Sequence, residues 1–176
     1  MELTAQGVKT CVENGVNVKV LTKRADFMDN FFGLLAGYGN FDEDQYREHT
    51  AFGFTLTGHD ELERGASSNI ERIGAMEELH NRGYRIFASI EPIVDFPSSM
   101  QMINGSLPFC DLYKIGLMSG NGVTYDPVEA QNFLSELQQL PGQPKIYLKN
   151  SLVRFLGVDR KTLPENFVES NYNMFG

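Results

Sequence analysis

Cysteine is scarce in this chain, which contains only Cys11 and Cys110. The two residues are far apart and lie in apolar segments. They supply neither a disulfide framework nor the ligands of a multi-cysteine metal site. We therefore expect a reducing compartment, and the cytoplasm is the predicted location.

Long apolar runs are also missing. No stretch approaches the ~18 consecutive apolar residues of a membrane span. The opening Met1-Glu2-Leu3-Thr4 lacks the basic region and following apolar run of a signal peptide. The sequence therefore predicts no membrane partner.

Basic residues are outnumbered, because 15 Lys plus Arg against 23 Asp plus Glu give a formal net charge of -8. Such a mean field repels the phosphates of nucleic acids unless a local basic patch overrides it. Nucleic acid is therefore a disfavoured partner for this segment.

Helical and strand-like segments alternate along the 176 residues. This length suits one domain with a hydrophobic core but falls short of a complete eight-fold barrel. The strand-like segments are 16–22, 51–57, 84–90, 111–117 and 145–149. Their alternation with helices predicts a parallel sheet, either open and doubly wound or curved as an arc of a barrel.

The clearest helix follows Ser68 and Glu71, which form a capping box. Its predicted apolar stripe is Ile70, Ile73, Met76 and Leu79. Asp26 is the expected cap of an earlier helix that starts near Phe27.

Polar residues near the carboxyl ends of the strands favour the barrel arc over the open sheet. They are Thr55, Thr57, Ser89, Glu91 and Lys114. Fully buried parallel strands would be nearly all apolar, whereas a barrel has its site at this end. We predict an α/β fold in which about five parallel β/α repeats form a partial TIM-like barrel over residues 1–165, with a poorly ordered tail over 166–176.

The most specific local feature is Ser89-Ile90-Glu91-Pro92. A period of two places Ser89 and Glu91 on the same side of the strand, where a carboxylate can bind an amine or a ribose. Alternatively, Glu91 forms a structural ion pair with Lys114 on the next strand. The two interpretations are compatible.

Other strand ends carry weaker candidates. Lys23 closes the first strand and could hold a carboxylate or phosphate, or simply be solvated. Thr55 and Thr57 could bind a ligand, although threonine is also a favourable strand residue.

Two further segments resemble ligand sites in composition but lack the spacing that such sites need. His59-Asp60-Glu61 groups nitrogen and carboxylate ligands, but adjacent turn residues rarely face one ion, and no metal site is predicted. The glycine-rich run 116–122 lacks both the P-loop lysine and the G-x-G-x-x-G spacing. It is predicted to be a flexible loop.

Four strings together resemble the spore photoproduct lyase-like branch of the radical S-adenosylmethionine enzymes. They are Val20-Leu21-Thr22-Lys23-Arg24, Phe54-Thr55-Leu56-Thr57, the segment 68–80 and Ala88-Ser89-Ile90-Glu91-Pro92. The resemblance covers about residues 3–120 and implies the later part of that family's barrel. It implies that Lys23 meets the carboxylate of S-adenosylmethionine, that Thr57 or Thr55 meets its ribose or amino-acid end, and that Ser89 and Glu91 face the nucleoside or substrate. Lys114, at the carboxyl end of the fourth strand, is a further candidate contact of the cofactor.

One departure from the family matters most, because the three cysteines of its C-x-x-x-C-x-x-C motif are absent. They hold a 4Fe-4S cluster in that family, so the cluster is expected only in a full-length form. The chain is then either a fragment of a longer product or a shortened relative, and it is predicted to be without radical chemistry on its own.

Two alternative functions remain open, and one partner is expected. The first is a non-catalytic module that binds a nucleotide-like ligand or a partner protein. The second is a metal-independent barrel hydrolase or lyase that uses Glu91 as base and Lys114 as its partner. A homodimer is the expected partner, because the first strand leaves a sheet edge exposed.

Overall fold

A computed structural model describes residues 1–120 and 123–176, so the predicted loop at 116–122 lies partly outside the described residues. Helices and strands alternate along the described chain. The strands are β1 (Val18–Thr22), β2 (Thr50–Thr55), β3 (Arg85–Ile93), β4 (Leu112–Leu117) and β5 (Lys145–Leu148). The helices are α1 (Glu2–Glu13), α2 (Met28–Gly37), α3 (Glu43–His49), α4 (Asn69–Asn81), α5 (Phe96–Ser106), α6 (Pro127–Gln138) and α7 (Asn150–Leu156), with two 3-10 turns at Asp60–Leu62 and Arg160–Thr162.

The five strands form one parallel sheet in the order β1-β2-β3-β4-β5. Crossovers between parallel strands are right-handed, so a sheet whose strands follow chain order carries its helices on one face. This is the arrangement of a barrel arc, whereas a doubly wound sheet reverses its order and has helices on both faces. The predicted partial barrel of parallel β/α repeats is confirmed.

The face of the sheet under the helices carries the main core. Strand residues that point to it include Phe52, Phe54, Ile86, Tyr113 and Ile146. The opposite face, which we call the lumen face, alternates with it along each strand. The carboxyl half of this lumen face holds most of the candidate site residues.

Helix α4 begins as predicted and packs differently from the prediction. Ser68 accepts a hydrogen bond from the backbone N–H of Glu71, and the Glu71 carboxylate accepts one from the backbone N–H of Ser68. Ile70 is 79% exposed, however, whereas Arg72 is fully buried. Arg72 faces the sheet because it pairs with the buried carboxylate of Glu63. The pattern of apolar residues in the sequence contains no information about this pair.

Aspartate side chains cap three further helices, α3, α5 and α6, whereas the predicted cap of α2 is wrong. Asp126 accepts hydrogen bonds from the backbone N–H groups of Val128 and Glu129 at the start of α6. Asp95 caps α5 through the N–H of Ser98. Asp26 does not cap α2, because its carboxylate pairs with the guanidinium of Arg24.

The C-terminal segment, residues 166–176, was expected to be poorly ordered and is packed on the lumen face. Phe167 forms a parallel bridge with Ile146 of β5. Met174 is buried against an apolar cluster that covers the amino half of the lumen face. The strand members of this cluster are Ala51, Phe87 and Leu112. The segment therefore covers the amino half of the lumen face.

Among the described residues, no helix is both long enough and apolar enough to cross a membrane.

Candidate functional site

A row of polar residues crosses the carboxyl half of the lumen face. The strand register aligns Thr55 of β2 with Ser89 of β3, Ser89 with Lys114 of β4, and Lys114 with Tyr147 of β5. Residues aligned in this way lie side by side on one face of a sheet. The structure therefore brings together three of the predicted site residues, and it adds Tyr147.

The next position on the lumen face is occupied by an ion pair between Glu91 and Lys149. The pair passes over Gly116 of β4. A Cβ atom at Gly116 would lie 3.1 Å from Glu91 Oε1 and 3.2 Å from Lys149 Cδ. Lys114 was the predicted partner of Glu91, and that prediction is wrong. Gly116 has no side chain, so the side chains of Glu91 and Lys149 can meet above it.

Lys114 extends over the ring of Phe87, with its Nζ atom 4.9 Å from the ring centroid. Among the described residues, no carboxylate forms an ion pair with it. Burial lowers the pKa of Lys114, and the charges of Lys19 and Lys149 lower it further, whereas Glu91 acts in the opposite direction. Lys114 is therefore an ammonium group held near like charges.

A cavity of about 490 Å³ opens at the β5 side of the row. Its walls are Lys114, Tyr147, Lys149, Asn150, Ser151 and Ser170. Ser170 belongs to the C-terminal segment, so that segment contributes to the cavity wall. Two ammonium groups, three hydroxyls and an amide make this a cavity rich in hydrogen-bond donors.

Lys23 and Thr57 are brought together at a second cluster. Lys23 Nζ lies 2.9 Å from Glu63 Oε1, and the hydroxyl of Thr57 donates to Glu63 Oε2 at 2.9 Å. Glu63 follows β2 in the polar turn before α4. The side chain of Lys23 remains about half exposed, so its ammonium group keeps access to solvent.

Arg72 completes this second cluster from α4. Its Nη2 atom donates to Glu63 Oε2 at 2.5 Å and its Nη1 atom to the carbonyl of Thr55 at 2.6 Å. Burial raises the pKa of Glu63, but hydrogen bonds from Arg72, Lys23 and Thr57 outweigh it, and the net pKa is lowered. The cluster fixes the turn after β2 against the strand end.

His59 lies between two carboxylates above the ends of β2 and β3. Its Nδ1 atom is 2.7 Å from Glu61 Oε1 and its Nε2 atom is 2.5 Å from Asp95 Oδ2. These hydrogen bonds, that with Asp95 first, raise the pKa of His59. Asp60 turns away and accepts from the backbone and amide nitrogens of Asn69. His59, Asp60 and Glu61 therefore do not converge on one point.

Neither cysteine lies at the polar row. Cys11 is on α1, and Cys110 is buried before the amino end of β4, where burial raises the pKa of its thiol to about 12. A thiol held neutral in this way is a poor metal ligand. No group of three or more His, Cys, Asp or Glu side chains in the described part of the chain could hold a metal ion.

A separate groove of about 480 Å³ lies on the outer layer between α5 and α6. Phe96, Met100 and Phe133 line it, together with Glu129 and Glu136. It is on the helical side of the sheet, so the full thickness of the sheet separates it from the polar row.

Sequence reasoning missed Tyr147 and Lys149 as parts of the site. A signal for them was present, because period two places both on one side of β5, as it places Ser89 and Glu91 on β3. Glu63 and Arg72 were also missed. No sequence pattern distinguishes Glu63 from the other acidic residues of its turn, or Arg72 from any other arginine in a helix.

Comparison with known proteins gives no match for this chain among protein-family models, curated proteins or solved structures.

Proposed function

We propose that this chain is part of a barrel that binds S-adenosylmethionine on its lumen face, and that it carries out no radical chemistry on its own. The observation that supports this most is the polar row, in which the buried Ser89 and the partly exposed Glu91 lie on one face of the sheet beside ammonium groups. S-adenosylmethionine carries a carboxylate, an amine and ribose hydroxyls. A carboxylate and lysines in one place offer partners for all of these.

In this proposal Ser89 and Glu91 contact the ribose or the amine. Thr55, next to Ser89 in the row, adds a hydroxyl. A ligand amine would compete with Lys149 for the Glu91 carboxylate, so binding would exchange one ion pair for another. Such an exchange keeps Glu91 paired in both states, which avoids leaving a partly buried charge without a partner.

Lys23 keeps its proposed role at the carboxylate of the ligand. An ammonium group has three N–H donors, and the pair with Glu63 occupies one direction. Thr57 differs, because its hydroxyl already donates to Glu63 and retains only the capacity to accept. We therefore give Thr57 the supporting role of positioning Glu63, and through it Lys23.

An iron–sulfur cluster does not fit the residues of this chain. Two distant cysteines, one of them buried with its pKa raised to about 12, cannot supply three thiolates. Any radical step would require cysteines from outside this chain, and we derive no step through the cluster.

Isothermal titration with S-adenosylmethionine and S-adenosylhomocysteine tests the proposal. Ser89→Ala and Glu91→Gln should each raise the dissociation constant by about 10-fold, since a hydrogen bond to a charged group contributes roughly 1.5–3 kcal/mol. Glu129→Gln, in the groove on the other side of the sheet, is the matched control and should leave binding unchanged. No heat from the wild-type chain, or equal losses in all three variants, would refute the proposal.

A homodimer is proposed as the partner, on the exposure of the β1 edge. Within the described part of the chain, β1 pairs with a strand on one side only, and Leu21 on its lumen side is 53% exposed. Unpaired strand edges tend to pair with a second copy. Light scattering should give a dimer mass for the wild-type chain and a monomer mass for Leu21→Lys; a monomer in both would exclude this dimer.

A further inference from the structure

The cavity at the β5 side of the polar row borders the proposed cofactor site at Lys114 and Lys149 and extends beyond it. Ser89 and Glu91 lie on β3, whereas the cavity walls come from β4, β5, α7 and the C-terminal segment. At about 490 Å³ it has the size of a small-molecule site. The cavity is therefore a candidate site for a second ligand.

The charges around this cavity are unbalanced. Lys114 and Lys149 line it, and Lys19 on β1 is close enough to lower the pKa of Lys114. Glu91 is the carboxylate that pairs with Lys149, and it neutralises one of the three lysines. Two positive charges remain, in a chain whose formal net charge is -8.

Lys114 is the residue whose placement needs an explanation. Its Nζ atom lies over the ring of Phe87, and no ion pair with a carboxylate is found for it in the described chain. Bringing ammonium groups together in a half-buried place costs free energy, which an anion between them would recover. The hydroxyls of Ser151 and Ser170 and the amide of Asn150 add neutral donors around the same space.

We infer that this cavity binds a small organic phosphate monoester, whose phosphate lies between Lys114 and Lys149 and accepts hydrogen bonds from Ser151, Ser170 and Asn150. A phosphate monoester carries a charge of about -1.5 to -2 near neutral pH, which matches the two positive charges that Lys19, Lys114, Lys149 and Glu91 together leave around the cavity. Its oxygens can accept from several donors at once, more than a single carboxylate can. The limited volume of the cavity and the negative net charge of the whole chain favour a small molecule over a nucleic acid backbone.

Phosphate binding at this cavity is tested separately from cofactor binding, because no S-adenosylmethionine is present in the experiment. The probes are glycerol 3-phosphate, glycerol and succinate, each titrated into the full chain at fixed ionic strength. Glycerol is the same molecule without the phosphate group. Succinate carries two negative charges, like the phosphate group, but arranges its oxygens differently. Glycerol 3-phosphate should bind at least 10-fold more tightly than either of the other two.

Variants locate the binding. Lys114→Met keeps the apolar stem over Phe87 and removes the charge, and it should weaken glycerol 3-phosphate binding by about 10-fold or more. Lys149→Met should weaken it similarly. The matched control is Lys145→Met, since Lys145 is also on β5 but lies at the amino end of the sheet, outside this cavity; it should change the dissociation constant by less than about 2-fold.

Three results would overturn the inference. The first is no binding of glycerol 3-phosphate at millimolar concentration. The second is equal binding of succinate, which would show a general anion site. The third is an equal loss in Lys145→Met, which would show attraction to surface charge only. Phosphate binding by a chain that does not bind S-adenosylmethionine would refute the cofactor proposal alone.

Discussion

The carboxylate of Glu91 on β3 pairs with Lys149 beyond the end of β5, and the ion pair crosses β4 at Gly116. Two strands that are not neighbours are thus joined over the one that separates them. This crossing requires a position without a side chain, and the same ion pair borders the proposed cofactor and phosphate sites.

The first prediction tests this crossing. Gly116→Ala should lower the free energy of unfolding by about 1 kcal/mol, because the new Cβ forces the Glu91–Lys149 pair to shift. Urea denaturation measures the change. Gly74→Ala on α4 is the matched control, since a Cβ there meets nothing within 4 Å; it should be neutral or slightly stabilising. Equal effects of the two substitutions would contradict the crossing.

The second prediction concerns the buried carboxylate of Glu63. Glu63→Gln should destabilise the fold by about 3 kcal/mol, because it leaves the buried guanidinium of Arg72 without its ionic partner. Glu77→Gln, an exposed acid on α4, should change stability by less than about 0.5 kcal/mol. Both values come from chemical denaturation at neutral pH. A loss below about 1 kcal/mol in Glu63→Gln would mean that the cluster is weaker than its geometry implies.

The carboxylate of Glu63 should also make the stability of the fold sensitive to acid. The pKa of Glu63 is lowered in the folded chain, so its contribution to stability is present above the ordinary glutamate value of about 4.3. That contribution is lost as pH falls through the folded pKa. Stability of the wild-type chain should therefore decrease more steeply below about pH 4.5 than that of Glu63→Gln. Parallel curves for the two proteins would contradict this assignment.

The fourth prediction concerns His59, whose pKa is raised by Asp95 and Glu61. A raised pKa gives stability that is complete below the unfolded value of about 6.5 and is lost as pH rises through the folded value. Wild-type stability should therefore fall as pH increases above about 6.5, and His59→Gln should flatten this part of the curve. His80→Gln, on the exposed side of α4, is the control and should retain the slope.

The fifth prediction tests the packing of the C-terminal segment. Met174→Ala should cost about 2 kcal/mol, because Met174 is buried against Ala51, Phe87 and Leu112. Leu3→Ala, at an exposed position on α1, should have almost no effect. Equal stabilities of the two variants would support the original expectation of a poorly ordered tail.

The sequence predicted the fold more fully than the site. Hydrophobic alternation and the Ser68–Glu71 capping box located the repeats, because they depend on local spacing. The pairing of Glu91 with Lys149 was missed, because it depends on which side chains reach across a sheet. Ile70 was predicted to lie on the buried stripe of α4 but is exposed, and the burial of Arg72 was missed, for a similar reason. The partner that buries Arg72 is a carboxylate in a turn, and local periodicity carries no information about it.

The C-terminal segment shows the same limit. Its asparagine-rich sequence predicted poor order, yet Met174 and Phe167 make contacts with strands far away in the sequence. Such contacts become visible only when the lumen face and its uncovered apolar residues are known.

The most direct test of the central proposal is a two-dimensional amide NMR titration of the full chain with S-adenosylmethionine. The proposal predicts shifts concentrated at the carboxyl ends of β2, β3 and β4, with Ser89, Glu91 and Gly116 among the largest. Shifts confined to the groove between α5 and α6, or no shifts at millimolar ligand, would contradict it.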